Sequence, residues 1–568
     1  METRREFFQV APLSRLLMII EVSLPIILLL LGVYHGFMQT LYRAGIIQSS
    51  GFAGINYYQG LTLHGVINAV VLTTFFGVVF GNAIMQFYLR QPLIPWVHAL
   101  STGLMVGGTL MAAVPMLLGL ADVLYTFYPP LKAHPTFYIG ATLLVVGSWV
   151  AFFGWIPLLR RWMQENPNTP MPLAVLGMVV TFLIWLICTI PLAVEMLFLL
   201  IPWSLGWVQA INIPLARTLF WFFGHPLVYF WLLPAYVVYY VILPKAAGGK
   251  LYSAYAARLT FLLFLVFSIP VGLHHQYTEP GIDRFWKGLH ALLTFAVAIP
   301  SFMTAFTVAA SLEHAGVQRG AKGLFDWIAK LPWLNANRPM VAYSLAGLLI
   351  FILGGLTGIV NASYNLNQTI HNTGFISGHF HMTVGGPVFL VILGVSLELF
   401  SQLTGKPIRG RGWNIAVPYL WALGLYIFSP AMMVGGLLGQ PRRTNMGLTY
   451  LDPSSPHFRL DWVVTSYLAA IGAVIMIVAF LVYIGVWVAT VAAPAERPGG
   501  QLYFPTAETL HQDAPTTSIV TKLRPWLGVA VVLILLSYWV PLRQALRTPD
   551  KAVPYTPDNP TPAVQVQK

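Results

Sequence analysis

Long apolar runs separated by short polar stretches recur along almost the whole chain. About thirteen of them reach the ~20 residues that a membrane-spanning helix needs. They lie at 13–43, 57–88, 93–119, 134–159, 171–202, 209–242, 254–276, 287–311, 341–361, 375–403, 413–438, 460–489 and 524–546. The pattern predicts an all-α polytopic membrane protein that forms one domain over 1–568. Its helical bundle should span about 13–546, and the Pro-rich tail over about 548–568 should be poorly ordered.

The composition agrees with this class. Hydrophobic residues make up 57% of the chain and charged residues only 9%, whereas about a quarter of a soluble domain is charged. The net charge of +13 does not indicate nucleic acid, because the basic residues are scattered over loops and form no stripe. If the N-terminus is cytoplasmic, the basic residues favour the inner loops by roughly two to one. An odd number of spans then places the C-terminus outside.

The N-terminus and the single cysteine exclude other features. Arg4 and Arg5 precede an apolar run that is too long for a cleavable signal peptide and has no cleavage site after it, so the first helix should remain in the mature protein. One cysteine, Cys188, cannot form a disulfide within the chain, a thiolate cluster or a covalent haem attachment. It lies in an apolar run, which predicts a packing role.

Two histidines in the tenth run are the first candidate ligands. Residues two apart on a helix point about 200° apart, so His379 and His381 should leave opposite sides of one helix. One helix could therefore ligate two different metals. The alternative for each is a buried, hydrogen-bonded core histidine. His64, near the start of the second run, is followed by Gly65, which would let a flat macrocycle approach the backbone. A helix-contact glycine beside a hydrogen-bonded histidine would look the same.

The sixth run carries a histidine followed by tyrosines at helical spacing. Tyr229 is one turn after His225 on the same face, and Tyr236 and Tyr240 follow at i+7 and i+11 after Tyr229. This predicts a ladder of hydroxyls leading toward the cytoplasm. Aromatic residues at this spacing are also typical of a packed core.

The seventh run ends in adjacent histidines, His274 and His275, near the outer face. They point about 100° apart on a helix, so either the helix end is unwound or the metal lies between helices. With His225 they offer three neutral imidazoles, a donor set that suits copper. Ser301 and Thr304 extend the polar positions of the eighth run, although such hydroxyls often bond to their own preceding turn.

The outer loops hold the remaining candidates. Arg442 and Arg443 follow an apolar helix end and suit carboxylates through charge-assisted bonds, whereas a surface basic pair is the alternative. Alternation of direction also places five histidines within a few turns of the outer surface, with His225 somewhat deeper. These five are His64, His274, His275, His379 and His381.

Four motifs together make the chain resemble subunit I of the haem-copper oxygen reductases, specifically the B family with b-type and a-type haems. They are Gly224-His225-Pro-Leu-Val-Tyr229, His274-His275, Gly378-His379-Phe-His381 and Pro441-Arg442-Arg443. The likeness covers nearly the whole chain.

The resemblance implies a role for each histidine. His64 and His381 would be the axial ligands of a low-spin haem b, and His379 would bind the high-spin a-type haem at which dioxygen reacts. One copper ion would be held by His225, His274 and His275. Tyr229 would be joined covalently to its histidine neighbour and supply an electron and a proton.

The resemblance also implies the surroundings of the haems. Haem propionates would be held by Arg442, Arg443 and His371. A single proton-input channel would pass Tyr236, Tyr240, Ser301 and Thr304. Two departures stand out: Asn372 replaces an acidic metal ligand of many A-family oxidases, which predicts no magnesium site of that kind. Asn367 stands where a B-family acid near a propionate is expected.

The expected activity is that of a proton-translocating cytochrome c oxidase, which reduces dioxygen to water in a prokaryotic plasma membrane. A second subunit with a dinuclear copper centre, reduced by cytochrome c, is the expected partner, because one cysteine cannot build that centre. A quinol donor and small hydrophobic subunits remain open. Two rivals are a nitric oxide reductase with non-haem iron in place of copper, and a transporter that relays protons along histidines.

Overall fold

The computed structural model describes residues 7–48, 55–446, 449–548 and 551–552. Among these residues, twelve helices are long and apolar enough to cross a membrane. We number them as spans 1 to 6 and 8 to 13: Pro12–Arg43, Tyr57–Leu89, Pro95–Leu117, Pro135–Glu165, Leu173–Ser204, Ile213–Ala247, Arg284–Val317, Pro339–Ala362, Gly374–Thr404, Arg411–Leu437, Leu460–Ala492 and Leu523–Arg547. The predicted all-α polytopic membrane fold is confirmed.

Span 7 differs from the others because it is broken. Its α-helix, Ala254–Phe267, is shorter, and a 3₁₀ segment, Gly272–Gln276, follows after a gap. The unwound helix end, which is one of the two arrangements proposed for the adjacent histidines, is therefore found. Span 8 is interrupted at Val297, between the helices Arg284–Ala296 and Ala298–Val317.

Four spans contain a π-helical turn, a feature that often marks functional sites. These turns are Ile67–Val71 in span 2, Met196–Leu200 in span 5, Val238–Ile242 in span 6 and Val384–Val388 in span 10. In span 10 the turn directly follows the segment that carries His379 and His381. The α-helix that carries these two histidines thus ends at Thr383 and continues as a π-helical turn.

The remaining elements are short. Phe8–Gln9 pairs with Gln501–Leu502, and Ile211–Asn212 pairs with Lys551–Ala552, both antiparallel. Short helices lie at Asp326–Lys330, Tyr364–Ile370 and, as a 3₁₀ turn, Ile519–Thr521. The expected disorder of the tail concerns residues that lie mostly outside the described part of the chain.

Close helix crossings at glycine hold the bundle together. A Cβ on Gly378 of span 10 would lie 2.5 Å from the Ser429 carbonyl oxygen of span 11. A Cβ on Gly108 of span 3 would lie 2.5 Å from the Gly140 carbonyl oxygen of span 4. Small residues of this kind let membrane helices approach backbone to backbone. Cys188 is buried and free, in agreement with a packing role.

Candidate metal centre

Three imidazoles from spans 6 and 7 converge on one point. His225, His274 and His275 each offer one ring nitrogen, and these nitrogens all lie within 4.8 Å of one another. His275 Nε2 is 3.3 Å from His225 Nδ1 and 2.9 Å from His274 Nε2. Nitrogen ligands that share one ion at about 2 Å each have separations of this order. The cluster can therefore hold a single transition-metal ion.

The neighbours of these rings fix their orientation. The Nδ1 atom of His274 lies 2.8 Å from the Thr294 hydroxyl of span 8, which leaves Nε2 for a metal. Trp221 stacks on His275 with ring centroids 4.0 Å apart. His225 Nε2 is buried and makes no hydrogen bond, and the Tyr229 ring lies 4.9 Å away between centroids.

His379 faces the side of span 10 that packs on span 9. Its Nδ1 lies 3.0 Å from the Thr357 hydroxyl, and Gly358 leaves room for the edge of its ring. His379 is also close enough to interact electrostatically with His225. With Nδ1 held by Thr357, the Nε2 atom is available as a ligand.

His381 faces a different set of neighbours. Its ring is stacked against that of His64, with centroids 6.1 Å apart and only 14° between the planes. Each Nδ1 points at a backbone carbonyl, that of Gly32 for His64 and that of Ser377 for His381, both at 2.8 Å. Both Nε2 atoms are thereby left free of backbone contacts, as axial ligands of one iron require.

The predicted carboxylate-binding loops lie together on the same end of the bundle. Asn372 and Arg442 are joined by a backbone hydrogen bond of 3.0 Å, and His371 Nδ1 contacts Asn367 Oδ1 at 2.8 Å. Burial and the neighbouring positive charge of Arg443 lower the pKa of Arg442 to about 9. Arg442 Nε is buried without a hydrogen-bond partner, so this N–H group can donate to an anionic ligand.

Burial also affects the histidine of this loop. The pKa of His371 falls to about 4, first because the ring is desolvated and then because Arg442 and other cations lie nearby. The imidazole is therefore neutral at physiological pH. The single N–H of the neutral ring lies on Nδ1 and donates to Asn367 Oδ1 at 2.8 Å, so Nε2 can accept a hydrogen bond.

The tyrosine ladder of span 6 meets the hydroxyls of span 8. The Tyr240 and Thr304 hydroxyl oxygens lie 2.6 Å apart, and Ser301 is a neighbour of the Tyr236 hydroxyl. Both tyrosines are fully buried. Thr304 also donates to the Pro300 carbonyl oxygen, and Ser301 to that of Val297. At Thr304 the back-bonding alternative and a contact of the predicted ladder are thus both present, because a hydroxyl can take part in two hydrogen bonds. The Tyr236 hydroxyl has no hydrogen-bond partner, so of these four residues Tyr240 and Thr304 form the hydrogen bond between the two spans.

Sequence reasoning missed the residues that orient the ligands. Thr294 and Thr357 hold imidazoles, Trp221 stacks on one, and Arg43 reaches the Pro441 carbonyl oxygen at 2.7 Å. The sequence offered little signal for them, because their partners come from other spans. It also overlooked Glu21 in span 1, a carboxyl group that is fully buried.

The donor sets fit the two kinds of cofactor that the sequence suggested. Two nearly parallel imidazoles 6.1 Å apart leave room for an iron between their Nε2 atoms, since each iron–nitrogen bond is about 2 Å. Three neutral imidazoles without a carboxylate suit copper.

Comparison with known proteins agrees with this geometry. Residues 17–475 match the family described as cytochrome c and quinol oxidase polypeptide I. The chain is 43% identical to cytochrome c oxidase subunit 1 of Thermus thermophilus over 85% of both chains. It is 27% identical to cytochrome c oxidase subunit 1 of Thermostichus vulcanus over 71% of this chain and 72% of the relative.

A solved structure is similar over almost the whole length. It is the cryo-EM structure of a heme-copper terminal oxidase dimer, with 51% identity, a TM-score of 0.94, and coverage of 97% of this chain and 96% of that one. Haem and copper are thus the cofactors of the family, and its subunit 1 works with a subunit II. The chain belongs to the cytochrome c and quinol oxidase polypeptide I family and is the catalytic subunit of a terminal oxidase.

Proposed function

We propose that this chain is a B-family subunit 1 that reduces dioxygen to water and couples this to proton translocation across a prokaryotic plasma membrane. The observation that carries the proposal is the convergence of His225, His274 and His275 beside His379. One helix, span 10, presents His379 to this cluster and His381 to His64. The two sites therefore share one rigid element, which keeps their separation fixed.

Each residue has one role in this proposal. His64 and His381 would hold a low-spin haem b, His379 a high-spin a-type haem, and the three-histidine cluster one copper ion. When bound, these cofactors supply the electron transfer and the dioxygen chemistry. Thr294 and Thr357 orient imidazoles through Nδ1 and so keep the ligating nitrogens aimed inward.

Tyr229 is proposed as the proton and electron donor next to the copper ligands. His225 Nε2 is buried without a hydrogen-bond partner, and the Tyr229 ring is 4.9 Å away between centroids. A covalent bond from Nε2 to a carbon of the tyrosine ring would replace one N–H and one C–H bond, with the two electrons and two protons passing to dioxygen, and would leave Nδ1 for copper. Mass spectrometry of the peptide that contains both residues would detect it as a loss of two hydrogens.

Protons would reach this tyrosine through the ladder of spans 6 and 8. Thr304 and Tyr240 share a 2.6 Å hydrogen bond in a fully buried position, and Tyr236 and Ser301 continue toward Tyr229. Hydroxyl groups can pass a proton because each one both donates and accepts. Arg442, Arg443 and His371 would bind haem propionates at the other end of the site.

Electrons would come from cytochrome c through a subunit II with a dinuclear copper centre. The single cysteine of this chain cannot build that centre. Small hydrophobic subunits would complete the complex.

The experiment is metal and haem analysis of the purified complex together with visible spectroscopy. The proposal expects two haems and one copper ion per subunit 1, in addition to the copper of subunit II. Iron in place of that copper would favour a nitric oxide reductase, although no carboxylate joins the three-histidine cluster within the described residues. The absence of a Soret band would leave only a histidine-relay transporter. As a matched pair, His275→Ala should remove this copper and His134→Ala, at the exposed start of span 4, should not.

A further inference from the structure

A second cluster of buried polar side chains lies in spans 1 to 4, away from the metal centre. Glu21 of span 1 is fully buried, and His98 of span 3 is 3% exposed. One carboxylate oxygen of Glu21, Oε1, lies 2.6 Å from the Thr102 hydroxyl and 3.1 Å from His98 Nε2. The other, Oε2, lies 3.4 Å from Asn82 Nδ2. A carboxyl group and an imidazole are thus in direct contact inside the apolar bundle.

The orientation of Asn82 is fixed from outside the pair. Trp155 of span 4 donates its indole N–H to Asn82 Oδ1 at 2.9 Å. The amide nitrogen therefore faces Glu21 and His98 and can only donate. The carboxyl group is surrounded by Asn82, Thr102 and His98. An ionised carboxylate can accept hydrogen bonds from all three residues, and a protonated carboxyl group can donate to the imidazole.

The net charge of the Glu21–His98 pair depends on the protonation of both groups. An ionised Glu21 beside a neutral His98 would place a net charge of −1 within the membrane, which is unfavourable. One additional proton makes the pair neutral overall, whether it resides on the imidazole or on the oxygen that faces Nε2. In both cases Nδ1 of His98 also carries a hydrogen.

The hydrogen on His98 Nδ1 requires an acceptor, and the structure has space for a water molecule beside it. His98 Nδ1 is buried without a hydrogen-bond partner. A cavity of about 10 Å³ lies against His98, lined by Asn82, Leu93, Ile94, Val97 and Trp155 among others. This volume is close to the minimum that holds one water molecule. The cavity adjoins the 90–94 turn, which joins spans 2 and 3 and which the charge pattern places on the cytoplasmic side.

Toward the other end of the bundle the same spans present mainly buried apolar side chains, including Val22, Ile26, Val78 and Met105. The buried hydroxyl groups of Thr74 and Thr109 also lie on that side, but both are without a hydrogen-bond partner, so neither continues a hydrogen-bonded chain from the pair.

The neighbouring charged groups have other partners. Glu398 of span 10 interacts with Arg497 and Arg411, and Arg15 of span 1 packs against Gly499. On the elements that contact the pair, the polar neighbours Asn82, Gln86, Thr102 and Trp155 carry no charge. Among the three residues that are hydrogen-bonded to Glu21, which are His98, Thr102 and Asn82, His98 is thus the ionisable one.

We propose that Glu21 and His98 form a proton-binding site that is loaded from the side of the 90–94 turn and is separate from the metal centre. A hydronium ion at the cavity would transfer one proton to the pair and leave as water, and the charge of the pair would change from −1 to 0. The ligand is thus a single proton. The site requires neither haem nor copper and does not rest on the proposed function.

Infrared difference spectroscopy of the whole complex at two pH values tests this. The wild type should show carboxylate, carboxylic acid and imidazole bands that change together, and Glu21→Gln should remove all of them. His98→Gln should remove the imidazole bands and weaken the carboxylate band of Glu21, because a lone buried carboxylate is disfavoured. The control Glu195→Gln changes another fully buried carboxyl group and should leave these bands in place.

Two results would overturn the proposal. The bands could persist in Glu21→Gln, or the wild type and Glu21→Gln could give identical difference spectra. If Glu21→Gln does not assemble, Thr102→Val serves instead, since loss of the 2.6 Å hydrogen bond should shift the carboxyl band. In oriented vesicles, a pH change on the side of the 90–94 turn should alter the bands at once. A response only to the opposite side would refute the direction of loading.

Discussion

Substitution of one glycine in span 1 should disrupt the proposed low-spin haem site without changing either proposed ligand. A Cβ on Gly36 would lie 2.5 Å from both Nδ1 and Cε1 of the His64 ring. Carbon atoms in contact are about 3.5–4.0 Å apart, so in Gly36→Ala the ring has to move by about 1 Å. The movement would also strain the 2.8 Å hydrogen bond from His64 Nδ1 to the Gly32 carbonyl oxygen.

The cost can be estimated from the same contacts. Overpacking of this kind costs about 1–3 kcal/mol, and loss of the Gly32 hydrogen bond adds about 1 kcal/mol. Alanine recovers up to about 1 kcal/mol because it is the better helix former. The net weakening of His64 ligation is about 1–4 kcal/mol, or roughly fivefold to several hundredfold, since about 1.4 kcal/mol corresponds to a factor of ten.

Visible and electron paramagnetic resonance spectra of the purified complex measure the outcome. Gly36→Ala should lose low-spin haem signal while the haem assigned to His379 keeps its own. The control is Gly107→Ala in span 3, where an added Cβ meets nothing within 4 Å. An unchanged low-spin fraction in Gly36→Ala, with the helix intact, would refute the assignment of His64 as an axial ligand.

Three further predictions concern other parts of the chain. Thr304→Val removes the 2.6 Å hydrogen bond to Tyr240 and should slow oxygen reduction at least about tenfold, in line with the loss of a positioned proton carrier, as measured by oxygen uptake. Asp513→Asn leaves the Arg258 guanidinium, 3% exposed, without its carboxylate. Because the Asp513 side chain is 37% exposed, we expect a loss of about 2 kcal/mol, below the ~3–5 of a fully buried pair, seen as a lower melting temperature. The pKa of His371 is about 4 in the folded state and about 6.5 in the unfolded chain, so the unfolded chain takes up the proton at a higher pH than the folded one. Stability should therefore fall as pH drops from about 6.5 to about 4, and His371→Gln should remove this component of the pH dependence of thermal melting.

Each of these predictions has a contrary result, and the first has a control variant. Thr142→Val, which removes only a bond to the carbonyl of its own preceding turn, should keep full oxygen uptake, and an active Thr304→Val enzyme would contradict the proposed route. For Asp513, burial raises the pKa and the Arg258 hydrogen bonds lower it, with a net lowering. The pair therefore contributes fully above about pH 4, and this contribution is lost as the pH falls through the lowered pKa of the folded carboxyl group. An equal effect of Asp513→Asn below that lowered pKa would contradict an ionic origin. Identical pH profiles for wild type and His371→Gln would contradict a neutral, buried imidazole.

Much of the candidate site was predictable because its signals are local. The spacing of His379 and His381 by two residues fixes their divergence on any helix, and His381 indeed faces His64 while His379 faces Thr357. The adjacent pair His274 and His275 predicted either an unwound helix or a site between helices, and the structure has both: the segment Gly272–Gln276 is a 3₁₀ turn, and His225 of span 6 completes the cluster. Periodicity does not show the break, but Pro270 lies between the helix Ala254–Phe267 and this segment, and proline disfavours an α-helix at and before its position.

The residues that hold the imidazoles in place were not predictable, because their contacts join different spans. Thr294 contacts a ring 20 positions away and Thr357 one 22 positions away, and an isolated threonine in an apolar run has no distinguishing pattern. Glu21 and His98 are 77 positions apart. Their contact exists only because spans 1 and 3 pack side by side.

The sequence by itself determined the membrane class, the approximate spans and the identity of the candidate ligands, because the length of an apolar run and the angle between nearby side chains are properties of a single helix. Only the tertiary structure decided which imidazole nitrogens point at one another, what holds each ring in place and where a carboxyl group finds its partner. Those outcomes depend on how thirteen separate segments pack. Ligation and proton transfer require distances that are correct to within a few tenths of an ångström, which is finer than any pattern along the chain can specify.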